Sequence, residues 1–349
     1  MSAGAEGLAA LRFPHSAAPS PGTAMEVAPG VRWLRMPLPF QLNHINLWLV
    51  EDGPGWAIVD TGISNAETKA LWERIFATAL DGKPITRLLC THFHPDHMGL
   101  AGWLADRLGI ELWTTEGEWR HARQAIADRP GTFHDELADF YRRIGFGDVE
   151  ETIKVGRPQS YRSLVGPVPE HHHRLSDGME LMIGGRSWRV IIGRGHAPEH
   201  ACLYCAELDL LIAGDQVLPK ISPNVSLWPN ASDQDPLGSF VASLGKLRAA
   251  VPGSAFVLPS HNLPFYGLHA RIEQLRALHE ARVAEIVIHC RTPRTGAEIV
   301  PVLFSRTLDR HQLGFAIGET MAHLARAVAA GGLARHERED GVWLFETAA

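Results

Sequence analysis

The chain of 349 residues is poor in cysteine, with four in all, and its one Cys202-Leu-Tyr-Cys205 pair has no second pair to match it. Four thiols cannot staple a chain this long, and a lone CxxC in an apolar stretch reads as core packing. The expected compartment is therefore the reducing cytoplasm. Positive charge is not in surplus either: 33 Lys and Arg stand against 39 Asp and Glu, a formal net charge of -6. That balance argues against broad binding to a phosphate backbone. No apolar run approaches the roughly 18 residues a membrane span needs. Residues 1–27 hold one arginine in a Pro/Ala/Ser/Gly-rich stretch, which reads as a flexible leader, not a signal peptide. No Gly-x-Ser-x-Gly occurs, so nothing marks a serine nucleophile on a strand-to-helix turn.

What the chain does have is histidine, and it is concentrated. Thr91-His92-Phe93-His94-Pro95-Asp96-His97-Met98-Gly99 places three imidazoles and a carboxylate within six residues. The apolar run Ile85 to Cys90 before it reads as a buried strand. Met98 to Leu108 after it has apolar residues at helical spacing, so the cluster sits on a strand-to-helix turn. In extended chain His92 and His94 point the same way, and the turn brings Asp96 and His97 to a second, adjacent position. Close, partly buried imidazoles with a carboxylate need a cation to hold them together. Neutral imidazole and carboxylate suit zinc, with iron and manganese as alternatives, and two groups of ligands suggest two metals.

This stretch resembles the HxHxDH signature of the metallo-β-lactamase superfamily, and four further motifs follow the family's order. Asp60-Thr61-Gly62, after the strand Trp56 to Asp60, matches the motif whose aspartate braces the metal site from behind. Gly195-His196-Ala197-Pro198-Glu199-His200 supplies His196, with His200 in an open role and Glu199 where the family usually has a small residue. Asp215 follows the buried run Leu210 to Ala213. His261 ends the strand from Phe256, in Ser260-His261-Asn262 where the family often has Gly-His-Gly. The resemblance implies that His92, His94 and His196 hold one divalent metal and Asp96, His97 and His261 another, with Asp215 between them. It also implies an α/β fold, an αββα sandwich with the site at one edge, over residues 28–267. Metal-bound hydroxide would be the nucleophile, with Asp96 orienting it and passing a proton to the leaving group.

The bond cleaved is less constrained. Gly-His-x-Pro-x-His followed by Gly-Asp is similar to the glyoxalase II-like branch, which implies a small thioester or ester substrate, with a lactone or phosphodiester as rivals. His44, in the loop after Pro37, and Lys220, Asn224 and Trp228, in the loop after Asp215, are candidate substrate contacts by chain proximity alone. Residues 115–170 read as a helical insertion, with helices over 118–127 and 134–144, that forms a lid over the site. The triplet at 171–173 is expected to precede a strand and to bind no metal.

From 268 to 349 the pattern becomes three helices and a polar-turned hairpin, which resembles the winged-helix module found behind some lactamase-like hydrolases. From Arg271 onward ten basic residues face ten acidic ones. A DNA reader would be basic on its third helix and wing, so the tail is expected to pack against the catalytic domain or a second subunit, making a homodimer plausible. A metal-binding regulator that reads DNA is the reading from another class, and an oxygen- or nitric-oxide-reducing diiron protein is disfavoured because it would carry His-x-Glu-x-Asp.

Overall fold

The structure is a computed structural model that describes residues 11–127, 132–148, 161–229, 231 and 234–348. The first sheet runs in spatial order β1 (Ala24–Ala28), β2 (Val31–Pro37), β3 (His44–Asp52), β4 (Gly55–Val59), β5 (Ile85–Leu89), β6 (Leu112–Thr115) and β7 (His172–Leu175). The first four strands are antiparallel and the last four parallel. Parallel neighbours need crossovers, which here are helical. They are α1 (Ala66–Thr78), then α2 (Pro95–Met98) with α3 (Ala101–Leu108), then α4 (Glu116–Ala127), α5 (Thr132–Arg143) and α6 (Tyr161–Leu164). The second sheet has the order β12-β11-β10-β9-β8, from β8 (Glu180–Ile183), β9 (Arg186–Gly193), β10 (His200–Cys205), β11 (Leu210–Gly214) and β12 (Phe256–Pro259). Its one parallel pair, β11 and β12, is joined through α7 (Pro236–Ala250).

Two-sided burial explains why β4 and β11 are apolar throughout rather than alternating. Between the sheets Trp33, Trp48, Val50 and Val59 meet Trp188, Val190, Leu203 and Ile212. The outer face of the first sheet packs Leu34, Met36 and Leu47 on Trp72 and Ile75 of α1. The outer face of the second packs Cys202, Tyr204 and Leu211 with Phe240 and Leu244 of α7. The result is the αββα sandwich, and every strand that feeds the site ends at the same edge. No helix among the described residues is long and apolar enough to cross a membrane.

The tail consists of α8 (Leu268–His289), β13 (Arg294–Thr295), α9 (Gly296–Leu303), α10 (Arg310–Ala329), β14 (Leu333–Glu337) and β15 (Trp343–Thr347). Thr295 and Glu298 form a capping box that starts α9, each side chain taking the other's backbone N–H. The third helix starts at Arg310, where Asp309 and Gln312 make a second capping box. Leu275, Ile286, Ile317 and Leu324 from these helices share one core with Leu211 and Leu244.

Three expectations need correction. Residues 1–10 lie outside the described residues, but 11–27 are tied down, unlike a flexible leader. Leu11 is buried, Arg12 and Tyr266 exchange backbone hydrogen bonds, and the Arg12 guanidinium lies 3.9 Å from the Tyr266 ring centroid. Of the expected lid, 128–131 and 149–160 lie outside the described residues, while α5 is docked away from the site. Leu137, Phe140, Tyr141 and Ile144 join the tail's core, and the Phe140 ring meets Trp343 edge-on. Finally, His172 and His173 belong to β7 itself, where they stack on Trp119 and Trp113.

Candidate metal centre

The site is assembled from the outside inward, beginning with Asp60. It follows directly on β4 with a φ of +66°, a left-handed conformation that Asp tolerates better than most residues. From there its carboxylate accepts hydrogen bonds from Thr91 N (2.8 Å), Thr91 Oγ1 and His97 Nδ1 (2.8 Å). The Thr91 proton therefore goes to Asp60, which leaves Thr91 Oγ1 to accept from His92 Nδ1 at 3.0 Å. His196 Nδ1 donates to the Asn224 carbonyl at 2.7 Å, and His261 Nδ1 to the His44 carbonyl at 2.8 Å. A carbonyl or carboxylate oxygen can only accept, so each of these four imidazoles carries a proton on Nδ1 and offers Nε2 as the ligand atom, with a lone pair there once any second proton has left.

Those lone pairs all face inward. His92 Nε2 lies 2.9 Å from His94 Nδ1 and 3.2 Å from His196 Nε2. Asp215 turns one oxygen to each side: Oδ2 is 3.5 Å from His196 Nε2, and Oδ1 is 3.7 Å from His97 Nε2 and 3.4 Å from His261 Nε2. Asp96 Oδ2 completes the second group at 3.4 Å from His261 Nε2 and 3.7 Å from His97 Nε2. Tetrahedral ligands about 2.0–2.1 Å from a cation stand roughly 3.3 Å apart, which is the spacing seen here. His97 Nε2 and Asp215 Oδ1 are buried with no hydrogen-bond partner. Converging lone pairs and orphaned buried atoms repel one another unless a positive charge lies among them. The donor set therefore fits two divalent cations, one at His92, His94, His196 and Asp215 and one at Asp96, His97 and His261.

Burial drives the His92 and His94 rings well below the ordinary imidazole range, keeping them neutral. His97 and His261 behave oppositely. Burial opposes their protons, but Asp60, Asp96 and Asp215 outweigh it at His97 and raise it to about 9, while Asp215 and Asp96 lift His261 well above its usual value.

The remaining expected site residues take supporting positions. His200, pushed to about 3 by burial, accepts the Asp215 N–H at 3.0 Å and so sets the carboxylate between the two groups. Gly214 has a φ of +53°, and a Cβ there would come within 2.4 Å of the His200 ring. His44 commits both ring nitrogens within the protein, Nδ1 to Asn43 Oδ1 and Nε2 to the Asn262 N–H, so it braces His261 rather than facing a substrate. Asn224 acts through its carbonyl on His196, and Lys220 is exposed on the same loop.

Sequence reasoning missed Glu118. This fully buried side chain of α4 accepts Phe93 N at 2.8 Å and Glu199 N at 2.5 Å, clamping the two loops that carry His92, His94 and His196. Burial lifts its carboxyl to about 7, against the two N–H groups that favour its charge. Glu199 itself turns outward, accepting Gly117 N at 2.8 Å and pairing with Arg194 at 3.1 Å.

Residues 41–261 match the sequence profile of the metallo-beta-lactamase superfamily. The chain belongs to that superfamily of metal-dependent hydrolases. Residues 283–348 match the profile described as the metallo-beta-lactamase-like C-terminal domain. A probable metallo-hydrolase of Bacillus subtilis, YqjP, is 26% identical over 298 residues, covering 83% of this chain and 90% of the relative. A beta-lactamase domain protein from Burkholderia ambifaria has the same fold at a TM-score of 0.91 and 43% identity, covering 98% of this chain and all of that one. The metallo-beta-lactamase family protein TTHA1429 from Thermus thermophilus superposes at 0.76 with 29% identity, covering 92% of this chain and 100% of that one. This metallo-hydrolase thus shares its tail as well as its sandwich with solved relatives.

Proposed function

We propose that this superfamily member is a dinuclear metal-dependent hydrolase of a small thioester or ester. One observation carries the reading: four imidazoles with an Nδ1 proton turned outward present Nε2 inward, beside Asp96 and an Asp215 that turns one oxygen to each group. Two divalent cations there, zinc by default, would lower the pKa of bound water toward neutrality and polarise a substrate oxygen. The protein's own residues do the rest. Asp96, at 18% side-chain exposure the most open group of the second set, stays ionised because His97 and His261 outweigh the cost of burying it. Its carboxylate would take a proton from water and return it to the leaving group. Asp60, Thr91, His200 and the carbonyls of His44 and Asn224 hold the ligands at fixed angles, which removes reorganisation from the reaction.

The thioester or ester preference rests on Gly195 to His200 and Gly214-Asp215, which are similar to the glyoxalase II-like branch. The tail's order of helix, strand, two helices and hairpin supports a winged-helix module, and its even charge supports packing over nucleic-acid binding. Four buried, unpaired cysteines are in keeping with a cytoplasmic protein. Metal analysis with a panel of thioesters, esters, lactones, phosphodiesters and a chromogenic β-lactam tests the reading. About two metals per chain with fastest turnover of thioester or ester is expected. A protein that binds no metal, or that cleaves only phosphodiesters, contradicts it.

A further inference from the structure

The tail's buried polar groups converge on one segment, the loop 216–228 that leaves Asp215. Arg271 of α8, 3% exposed, donates to the Leu218 carbonyl at 2.6 Å and the Ile221 carbonyl at 2.9 Å. Two turns along the same helix, His279 meets Ser222 Oγ at 3.0 Å through Nε2 and His323 Nε2 of α10 at 3.1 Å through Nδ1. The Gly318 carbonyl of α10 accepts Leu227 N at 3.0 Å, and a Cβ on Gly318 would lie 2.6 Å from Ser226 Oγ. The loop has no helix or strand of its own, so its backbone groups depend on what reaches them from outside.

Proton positions give this chain of contacts a direction. His323 Nδ1 faces the Glu319 carbonyl at 2.7 Å and must donate, leaving Nε2 as an acceptor. His279 Nδ1 must then donate to it, which leaves His279 Nε2 to accept the Ser222 hydroxyl proton. Burial, chiefly, keeps both rings neutral, pushing His279 to about 3 and His323 to about 4, so the order is not scrambled by an extra proton. At the loop's far side sits Asn224, whose carbonyl holds His196 Nδ1.

We propose that the C-terminal helices position His196. Arg271, His279 and Gly318 fix the loop, and the loop's Asn224 carbonyl keeps His196 Nε2 aimed at the first cation position. His279 is a positioning residue in this scheme and touches no reacting atom. The part of the proposal that concerns cations rests on the hydrolase reading above; the part that concerns the loop does not.

The test compares Ser222→Ala, His279→Leu and His279→Gln, the last keeping one acceptor and one donor. Hydrogen exchange over 216–228 is followed in metal-stripped protein. Stepwise cobalt(II) titration is followed by histidine-ring NMR, in which His196 and His261 report the two halves separately. Direct supports of a ligand are worth about 10- to 100-fold in metal affinity, so one step further out a loss of about tenfold is expected at His196, with the His261 half within about twofold. Exchange at Leu227 should rise in Ser222→Ala and His279→Leu and fall back in His279→Gln. Unchanged exchange in the loop, or equal losses at both halves, overturns the proposal. Should His279→Leu fail to fold, Ser222→Ala decides, since it removes only a half-buried hydroxyl. Were the wild-type protein to take up no cobalt, the hydrolase reading would fall while loop exchange still judged the support role.

Discussion

The two halves of the candidate metal centre are built from the same residue types but solve the problem of buried charge differently. The His92, His94 and His196 half consists of imidazoles crowded by one another, and burial keeps His92 and His94 neutral. The Asp96, His97 and His261 half is rich in carboxylate, so its rings retain protons that burial alone would remove. The second half can answer its own negative charge with protons, whereas the first has only lone pairs to offer. The difference follows from where Asp60, Asp96 and the Oδ1 of Asp215 point, not from ligand count.

The comparison breaks most severely at the residue both halves share. Asp215→Ala should give a folded protein that has lost both metals and falls to background hydrolysis, measured by metal analysis, circular dichroism and turnover. His94→Ala should also abolish turnover but spare the cation at His97 and His261. Asp60→Ala, which frees His97 directly and His92 through Thr91, should weaken both sites by about 10- to 100-fold in a competitive chelator titration. Glu118→Ala leaves the partly buried N–H groups of Phe93 and Glu199 without their acceptor, at about 1 kcal/mol each. Urea unfolding should show that loss, and it should loosen the first half more than the second because the clamp joins Phe93 and Glu199.

The smallest effect sharpens the contrast through pH. His97 has a folded-state pKa near 9, above the roughly 6.5 of an unfolded histidine. In metal-stripped protein its contribution to stability is fully present below about 6.5 and lost as pH rises through about 9. Metal binding at that half must release the same proton, so its apparent affinity should climb with pH up to about 9. Affinity at the first half should be nearly flat over that range, and equal slopes at both halves would remove the distinction drawn here.

The cluster at the centre of the candidate site was legible because its motif is local. A strand end, a tight turn and a short helix bring His92, His94, Asp96 and His97 together within six residues. Even so, the turn differs from the extended chain expected: His94 sits at the N-cap of α2, and the ring contact with His92 comes from the loop. Asp60, His196, Asp215 and His261 were legible through motifs that resemble the family's in order, each at or just after the end of an apolar run. Glu118 was not, since a glutamate in an amphipathic helix ordinarily faces water and only the docking of α4 buries it. The helix α7 was likewise unforeseen. Its Gly238, Ser239, Ser243 and Gly245 are weak helix formers, and burial between the second sheet and the tail leaves it apolar on more than one side.

By itself, then, the sequence pointed to the family through five motifs that resemble its signature in order, and that resemblance carried the fold class and the set of candidate ligands. Only tertiary structure decided which proton each imidazole carries, which carboxylates face which ring, and that a glutamate and two distant helices support the site. Those depend on groups far apart in the chain meeting at hydrogen-bonding distance, where burial and neighbouring charge override what each residue would do alone.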